Sequence, residues 1–534
     1  MAHLGDGTGA ALRSVDPGRR GGDRRLLRLG PARGQERAVS WYTLPAGVPW
    51  LTLALLLPLI GAFLVLLAPA AARGVIKQLG ILSALLTLVL MLLLLGGFQH
   101  GPGGLRFQFE EIHHWIPSLG IGYHLGVDGL SLFLLALNGL LSLLAMLIAD
   151  PRTPRFKEFV LLLLVLETAT TGVLLALDLI LFYVFWEAML VPLYFLIGVW
   201  GEGRKVFAAF TFLIYTVIGS FAMLVAILAV AAITAAQTGH LSFDWTVLVQ
   251  HPAGAVAQGW MFLGFALAFA VKMPIFPLHS WLPIAYPATP TPALLVFAGL
   301  VSKLGAYGLI RFNLALFPAG ARGWGPILAT LATIGILYGA LMALLQVDLK
   351  LLVAYASMSH LGFIGLGIFS QNVFGVEGAL IQMINHGVII AGLFLVVFMI
   401  EQRTGTRARS QLRGLTRPAP LFAGLFFVIA LAALGLPGLN GFVGEFLIML
   451  GAFTAYLPLA IGAGLGVILA AWYVLRFYQG AFEEVPVQPA ALTEMRLNEV
   501  GALAPLLAII VVFGIVPSFF PAAVDATVRA VLRT

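Results

Sequence analysis

The sequence contains no cysteine and few charged residues. Of its 534 residues none is cysteine, 10% are charged and 60% are hydrophobic. Without cysteine the chain cannot form disulfides, zinc–thiolate sites or cysteine-bound iron–sulfur clusters. A soluble domain of average composition carries about 25% charged residues, so this chain lacks the polar surface that water requires. The composition, with a mean hydropathy of +1.01, therefore predicts an integral membrane protein.

The sequence also lacks a Walker loop and any other pattern for handling nucleotides or electrons. Gly462, Gly464 and Gly466 lie inside an apolar run, where small residues allow helices to pack closely. Most of the net charge of +7 lies in a Gly- and Arg-rich stretch at residues 1–38, which argues against a nucleic-acid partner. The energy for any work by this chain must therefore come from an ion gradient or from partner proteins.

Apolar runs long enough to cross a bilayer, about 20 residues each, follow one another along the chain. They predict about fourteen membrane-spanning helices, of which two, at residues 259–285 and 419–450, are broken rather than straight. Basic residues gather in alternate loops, which predicts that these loops face the cytoplasm and that both chain ends face away from it. The hydrophilic connection from Phe98 to His124 alternates in polarity and predicts a small β-hairpin.

Residues 1–38 conflict with this orientation, because so basic a stretch would have to cross the membrane. The stretch also lacks the apolar core of a signal peptide. Our hypothesis is that residues 1–38 are a disordered extension or a gene-start artefact, and that translation begins at Val39. Terminal-peptide mass spectrometry of the purified protein tests this hypothesis, since peptides from residues 1–38 would refute it.

Several predicted spans contain ionisable residues in their apolar interior. A charge at mid-membrane costs at least about 2.5–3.5 kcal/mol and commonly marks an ion pathway. A fold gains little from ion pairs spread over many spans, because buried pairs barely repay their desolvation. The set therefore predicts a path for protons. Its members are Glu187, Lys272, Lys303, His360, His386 and Glu445.

Other polar residues have simpler interpretations. Arg311 and Arg476 lie close to span ends, where long side chains reach the interface, and we interpret both as structural. Glu167 is equally compatible with a functional role and with a hydrogen bond to its own or a neighbouring helix. His113 and His114 lie in a loop without ligand partners at metal spacing, so we predict no metal site.

The two broken spans lie beside the ends of the predicted path. Three prolines interrupt the span that carries Lys272, and Pro437 with nearby glycines interrupts the span that carries Glu445. A helix break leaves backbone N–H and C=O groups without helical hydrogen bonds. At membrane depth such groups are tolerated only where they are buried in protein or line a wet cavity. Discontinuous helices at corresponding places in two halves are typical of inverted-repeat transporters.

The order of the residues suggests how a proton would move. Lys272 and Lys303 are suited to carry protons, because desolvation favours the neutral form of a buried lysine. A carboxylate at Glu187 favours the charged form, so that coupling to Glu187 loads Lys272 and uncoupling sends the proton towards Lys303. The two histidines suit an intermediate relay, and Glu445 ends the path.

Five stretches of the sequence carry a family resemblance, namely FWEAMLVPLYFLIGVWG, VKMPIFPLHSWLP, SKLGAYGLIRF, YASMSHLGF and LPGLNGFVGEF. Together they resemble subunit M (chain 4) of bacterial respiratory complex I, the NADH–quinone oxidoreductase, over roughly Val48 to Pro517. This family belongs with the antiporter-like membrane subunits. It implies an all-α integral membrane fold of fourteen helices, with helices 4–8 and 9–13 related as inverted five-helix repeats and with helices 7 and 12 broken.

The resemblance also implies a domain organisation. Residues 39–157 would hold helices 1–3 with a periplasmic hairpin, and residues 158–316 the first antiporter-like repeat. Residues 324–481 would hold the second repeat, and residues 482–534 helix 14 and the C-terminal tail.

The family's functional positions correspond to the residues that the charge pattern selects. The glutamate of FWE pairs in the family with the lysine of VKMP, here Glu187 and Lys272. The following positions are a central lysine, two relay histidines and a terminal acid, here Lys303, His360, His386 and Glu445. One motif departs from the family, which usually has WLPDAH where this chain reads WLPIAY. Ile284 and Tyr286 thus replace an acid and a histidine, which puts in doubt a proton-uptake role for that turn.

The resemblance implies a proton-translocating membrane-arm subunit of a translocase enzyme in the bacterial inner membrane. Electron transfer from NADH to quinone would occur in partner subunits, which would hold the FMN and iron–sulfur clusters, with no cofactor or metal in this chain. Sister antiporter-like subunits would be its neighbours. Two alternatives stay open, a subunit of a multi-subunit sodium/proton antiporter and a subunit of a membrane-bound hydrogenase related to complex I. A purely structural scaffold would require that Glu187→Ala and Lys272→Ala leave proton pumping intact.

Overall fold

A computed structural model describes residues 40–99, 107–412, 414–483 and 493–533. Residues 1–38 and Val39, on which the gene-start hypothesis rests, lie outside the described residues. The described chain is a helical membrane protein, in which twelve helical segments are long and apolar enough to cross a bilayer by length and composition. Two of these segments, Leu179–Trp200 and Thr291–Leu314, are each made of shorter consecutive helices. The predicted all-α membrane fold is therefore confirmed.

The helices follow one another with short connections. Their bounds are α1 Trp50–Leu67, α2 Arg73–Gly97, α3 Leu132–Ile148, α4 Phe156–Leu175, α5 Leu179–Ala188, α6 Leu190–Trp200, α7 Lys205–Thr238, α8 Trp245–Leu248, α9 Ala255–Lys272, α10 Leu282–Ala288, α11 Thr291–Val296, α12 Ser302–Gly308, α13 Pro318–Leu345, α14 Leu349–Phe369, α15 Val373–Thr404, α16 Pro420–Ala433, α17 Asn440–Ala455, α18 Leu457–Tyr478, α19 Leu497–Ile515 and α20 Phe519–Leu532. Turns of π-helix occupy Phe297–Val301, Leu309–Leu314 and Gln479–Glu483.

The number of crossings stays a prediction. Three further apolar helices, α3, α16 and α17, are shorter than a bilayer-spanning helix. Fourteen crossings result only if α3 also spans and if α16 and α17 form one broken crossing. The inversion that relates the two repeats, and the domain limits at residues 39–157, 158–316, 324–481 and 482–534, likewise remain predictions.

Both predicted helix breaks are present. The first separates α9 from α10 at residues 273–281, where proline removes backbone donors. The second separates α16 from α17 at residues 434–439, where Gly435 and Gly438 have φ of 76° and 94°, a region that glycine enters at little cost. A third irregularity was not predicted: π turns flank α12 on both sides. Such turns occur frequently at functional sites.

The predicted hairpin is also present. Strands β1 Gln108–Ile116 and β2 Ile121–Val127 pair antiparallel, and His113 and His114 are exposed on β1. We call the side of the protein that holds this hairpin the hairpin side. The opposite side, which holds the loops at 68–72, 149–155, 201–204 and 346–348, we call the basic side.

A buried histidine links the hairpin to Asp244, the residue that precedes α8. His124 on β2 lies 2.6 Å from Asp244 through Nδ1 and 3.4 Å from Glu110 through Nε2. Burial alone would lower the pKa of His124, but the two carboxylates outweigh burial and raise it above the ordinary value of 6.5. The stabilising charge on His124 is therefore present at low pH and lost as pH rises through this raised pKa.

The interpretation of Arg311 as a side chain that reaches the interface is wrong. Arg311 is 1% exposed and forms two hydrogen bonds, of 2.6 and 2.7 Å, to the fully buried Asp128. Its guanidinium also lies over the rings of Phe107, Trp245 and Tyr307. Arg311 is structural, but through an internal ion pair that joins the π turn after α12 to the residues just before α3. Arg476 is exposed, which agrees with its interpretation as a structural side chain that reaches the membrane interface.

Replacing Asp128 by alanine is expected to destabilise the protein by about 3–5 kcal/mol, because removing one partner leaves a buried charge uncompensated. Thermal unfolding in detergent measures this loss. Asp150→Ala, which breaks an exposed pair with Arg152, serves as the control and is expected to change stability by less than about 1 kcal/mol. The double variant Asp128→Leu with Arg311→Met is expected to recover most of the loss. Unchanged unfolding of Asp128→Ala would contradict this assignment.

Candidate proton path

The six predicted site residues lie on six different helices. Four of them form one buried group, whereas the other two lie near each other on α5 and α9. The buried group consists of Lys303 on α12, His360 on α14, His386 on α15 and Glu445 on α17. Each of these four residues is at most 6% exposed.

The terminal acid is in direct contact with a relay histidine. His360 Nδ1 lies 2.8 Å from Glu445 Oε1, and Gln382 donates its amide N–H to the same oxygen at 3.1 Å. The other ring nitrogen of His360 lies 3.3 Å from the Tyr473 hydroxyl. Imidazole and carboxylate can each take or give a proton, so this contact can pass a proton between α14 and α17.

The second helix break positions the terminal acid. Because α17 begins at Asn440, Glu445 lies in its second turn, just beyond the irregular residues. A side chain at Gly435 would place its Cβ 2.8 Å from Glu445 Oε2. The positive φ of Gly435 and its lack of a side chain therefore let the backbone lie against the carboxylate.

The second histidine is buried without a hydrogen bond. The rings of His360 and His386 lie 5.6 Å apart, centroid to centroid, at 32°. His386 is 1% exposed, and neither of its ring nitrogens bonds to a described residue. It interacts electrostatically with both Lys303 and His360. His386 thus stands between the lysine and the first histidine with both nitrogens available for a proton.

Lys303 is held by the π turn that precedes it. Its Nζ donates to the Ala298 carbonyl at 2.6 Å and lies 3.3 Å from Ser302 Oγ. Ala298 belongs to the π segment Phe297–Val301, where the helical hydrogen-bond pattern is shifted and carbonyls are less regularly paired. The irregular turn therefore supplies the acceptor for a fully buried ammonium.

Glu187 and Lys272, which the resemblance implied as a pair, are not in direct contact. Lys272 is 1% exposed, and its Nζ lies 4.8 Å from the ring centre of Trp186 and 5.4 Å from that of Phe212. Neither Lys272 Nζ nor Glu187 Oε1 has a hydrogen-bond partner among the described residues, although the two groups attract electrostatically. The aromatic faces stabilise the ammonium by cation–π interaction, in an arrangement without a hydrogen bond between Lys272 and Glu187.

The helices that carry the two lysines pack closely. A Cβ at Gly305 on α12 would lie 2.5 Å from the Phe269 carbonyl oxygen and 2.8 Å from Met273, so glycine permits this approach at the broken end of α9. The freed carbonyl of Val271 accepts a hydrogen bond from the Trp281 indole at 2.9 Å. The first break is thereby satisfied internally, as membrane depth requires.

Sequence reasoning missed two residues that contact the buried group. Gln382 is one helical turn before His386 on α15, and residues four apart share a helix face, so its position in an apolar run could have revealed it. Tyr473 on α18 carries no such signal, because its contact with His360 joins residues 113 positions apart.

Glu167 is a buried acid outside this group. It is fully buried, and neither carboxylate oxygen has a hydrogen-bond partner among the described residues. The hydroxyl of Ser142, also buried, likewise lacks a partner. An isolated carboxylate in an apolar interior is so costly that such a group neutralises instead. Glu167 is therefore expected to hold a proton permanently.

Replacing Glu167 by glutamine is expected to leave the protein nearly unchanged, because the amide matches a protonated carboxyl in size and charge. The change in the free energy of unfolding should stay below about 1.5 kcal/mol. Thermal unfolding and proton movement across the membrane of vesicles that hold the protein measure the two effects. A clear fall in proton translocation with normal unfolding would instead place Glu167 in the proton path.

Among the described residues, no three His, Asp or Glu side chains lie together in a way that could hold a metal ion. The side chains that meet in the buried group are bases and acids that exchange protons: an amine, two imidazoles and a carboxyl. The geometry can therefore conduct protons through an apolar interior.

Comparison with known proteins identifies the family. The profile described as NADH:quinone oxidoreductase/Mrp antiporter, TM, matches residues 176–472. NADH-quinone oxidoreductase subunit M of Rhodobacter capsulatus is 40% identical over 465 residues, which cover 84% of this chain and 89% of that relative. The chain belongs to the NADH-quinone oxidoreductase subunit M family. The resemblance inferred from the five motifs is thereby confirmed.

Solved structures agree with membership of the subunit M family. A chain in respiratory complex I from Thermus thermophilus with bound NADH has a TM-score of 0.83 and 35% identity, covering 90% of this chain and 99% of that chain. A chain of the Mrp complex from Dietzia sp. DQ12-45-1b has a TM-score of 0.77 and 26% identity, covering 90% of this chain and 52% of that chain. The antiporter-like fold is shared by both.

Proposed function

We propose that this chain is a proton-translocating membrane-arm subunit of an NADH–quinone oxidoreductase. The buried group of Lys303, His386, His360 and Glu445 carries the proposal, because it gathers four proton-exchanging side chains in an apolar interior. Membership of the subunit M family supplies the parent complex. The bacterial relatives support a location in the bacterial inner membrane. The charges of the loops support an orientation in which the basic side faces the cytoplasm.

The proton moves in a defined order in this proposal. When Glu187 and Lys272 approach each other, the carboxylate favours a proton on Lys272. When they are out of direct contact, as in the present arrangement, the aromatic faces hold the ammonium while Glu187 attracts it only at a distance, and the proton can pass towards Lys303. From Lys303 it passes through the two histidines to Glu445. Water molecules bridge the steps at which side chains do not touch.

Partner subunits supply the energy. Moving one charge against 100 mV costs about 2.3 kcal/mol, which in this proposal comes from electron transfer between NADH and quinone in subunits that hold the FMN and iron–sulfur clusters. Sister antiporter-like subunits are the expected neighbours within the membrane arm. The energy reaches this chain as a change in the separation of Glu187 and Lys272.

Co-purification tests the proposed parent complex. An affinity tag on the chain, with mild detergent and mass spectrometry, is expected to recover NADH-oxidising and quinone-reducing subunits together with sister antiporter-like subunits. Recovery of hydrogenase subunits, or of antiporter subunits alone, would contradict the proposal.

A sodium/proton antiporter is the second candidate, and the fold likeness to the Mrp complex favours it. This function predicts that proton movement in vesicles depends on sodium and continues without NADH. NADH-dependent proton movement that is indifferent to sodium supports the first candidate and excludes the second.

A further inference from the structure

We infer that the aromatic rings of Trp186 and Phe212 form a binding site for the Lys272 ammonium. The site decides whether Lys272 keeps its proton while it is out of contact with Glu187. This inference rests on the proposed function and names two further residues that control the first step of the same path. Neither of them is ionisable, so the charge pattern of the sequence did not select them.

The Lys272 side chain ends among aromatic rings rather than polar groups. Its Nζ lies 4.8 Å from the ring centre of Trp186 and 5.4 Å from that of Phe212, both within the distance of about 6 Å over which an aromatic face attracts a cation. Lys272 is 1% exposed, and its Nζ has no hydrogen-bond partner among the described residues. A charge without close compensation in an apolar interior neutralises. The two rings are therefore the contacts that let the lysine stay charged.

The indole that faces the ammonium is fixed in place. Trp186 on α5 is fully buried, and its N–H donates to Ser220 Oγ on α7 at 3.1 Å. Phe182 stacks on the indole at 5.6 Å, and Phe269 meets it edge-on at 5.3 Å between centroids. Because the ring is already ordered by its neighbours, little side-chain freedom is lost when the ammonium docks on it. Tryptophan is also the aromatic residue that attracts cations most strongly.

The second ring connects the site to the next lysine of the path. Phe212 on α7 is fully buried and meets Phe297 at 4.9 Å, centroid to centroid, and at 71°. Phe297 is the first residue of the π turn before α12, and the next residue, Ala298, supplies the carbonyl that accepts from Lys303. The aromatic site therefore borders the turn that holds the lysine to which Lys272 passes its proton.

Helix α5 presents two alternative partners to the ammonium. Trp186 and Glu187 are consecutive, and consecutive helical residues point about 100° apart, so the aromatic face and the carboxylate lie side by side. A charge-assisted contact with the carboxylate binds the ammonium strongly, whereas a ring face binds it more weakly. The aromatic site thus keeps Lys272 charged but leaves the proton easier to remove. Its strength sets the fraction of Lys272 that is charged at a given pH.

Glu187 is the charged group that acts electrostatically on Lys272 among the described residues. The elements packed against α9 include α5, α7, α12, α13 and the π turn after α12. Their other titratable groups are engaged elsewhere or exposed: Tyr183 interacts with Glu187, Lys205 bonds to the Val199 carbonyl, Tyr215 to Ser280, Lys303 to Ala298, Tyr307 to the Leu174 carbonyl and Arg311 to Asp128, Tyr338 packs on His279, and Arg322 is exposed. A change in the aromatic site is therefore expected to appear in the pH dependence of proton passage.

Fluorinated tryptophan at position 186 tests the inference in the intact complex in proteoliposomes. One to four ring fluorines withdraw charge from the ring face stepwise while the shape of the ring is kept. The readout is the pH on the basic side at which the number of protons translocated per NADH oxidised falls to half. Each added fluorine is expected to lower this pH, by about one unit over the series, because a tenfold weaker hold requires tenfold more protons to keep Lys272 charged.

The matched control is the same series at Trp281. This indole is equally buried and donates its N–H to the Val271 carbonyl, but no cation of the described residues lies over its ring, so the wild-type pH dependence is expected. Unchanged pH dependence in the series at position 186, or equal shifts at both positions, would overturn the aromatic site.

Lys303→Met in the same vesicles reports separately on the proposed function. A low count for Lys303→Met, together with unchanged pH dependence in the series at position 186, would overturn the aromatic site and leave the proposed function intact. A wild-type count for Lys303→Met would overturn the proposed function and, with it, the inference.

Discussion

Replacing Glu445 by glutamine is expected to stop proton passage at the end of the path while leaving the fold intact. The amide keeps the size of the carboxyl and can still bond to His360, but it cannot accept and release a proton. Loss of a proton-transfer group typically costs about 10²–10⁴ in rate. The NADH-driven acidification of vesicles measures this loss, and the NADH oxidation rate with an artificial electron acceptor verifies that the redox subunits still work.

Two further variants distinguish a loss of proton transfer at Glu445 from a loss of structure around it. Glu445→Ala is expected to lose proton passage and also stability, because His360 Nδ1 and the Gln382 amide lose their common acceptor, at about 1–3 kcal/mol for each unsatisfied group. Glu499→Gln, at an acid that pairs with Arg403 on the basic side, is the control and should keep wild-type acidification. Normal acidification in Glu445→Gln would show that Glu445 is only a packing partner of His360.

Replacing Lys303 by methionine is expected to have an equally large effect, again about 10² or more in the rate of proton passage. Lys303 and His360 are the charged groups that act electrostatically on His386, and His386 has no hydrogen bond to any described residue. Without the lysine, His386 therefore loses its neighbour on the uptake side of the path. Methionine has a similar length and no polar atom to bury, so replacing a buried charge in this way should not unfold the protein. Initial rates of acidification in vesicles, with the artificial-acceptor rate as reference, check the expectation.

The membrane fold and the path residues could be predicted because each depends on a local signal. An ionisable residue in an apolar run, such as Lys303 or Glu445, is conspicuous without knowledge of its neighbours. The helix breaks follow from proline and glycine, whose backbone restrictions act at their own positions. The hairpin follows from alternation over a few residues.

Contacts between distant residues could not be predicted in this way. Arg311 was assigned to the interface because it lies close to a span end, whereas its partner Asp128 is 183 residues away and just precedes α3. The π turns around Lys303 also have no sequence signal, since they depend on how α12 packs against its neighbours. The separation of Glu187 from Lys272 depends on side-chain conformation, which motif resemblance does not specify.

The number of protons translocated per NADH oxidised is the direct measure of proton passage through this chain. It is measured with the intact complex in sealed proteoliposomes, comparing wild type, Lys303→Met and Arg476→Met, the last altering an exposed basic residue that the path excludes. Proton passage through Lys303 predicts a lower count for Lys303→Met and the wild-type count for Arg476→Met. A wild-type count for Lys303→Met, in a complex that assembles and oxidises NADH normally, would contradict proton passage through this chain.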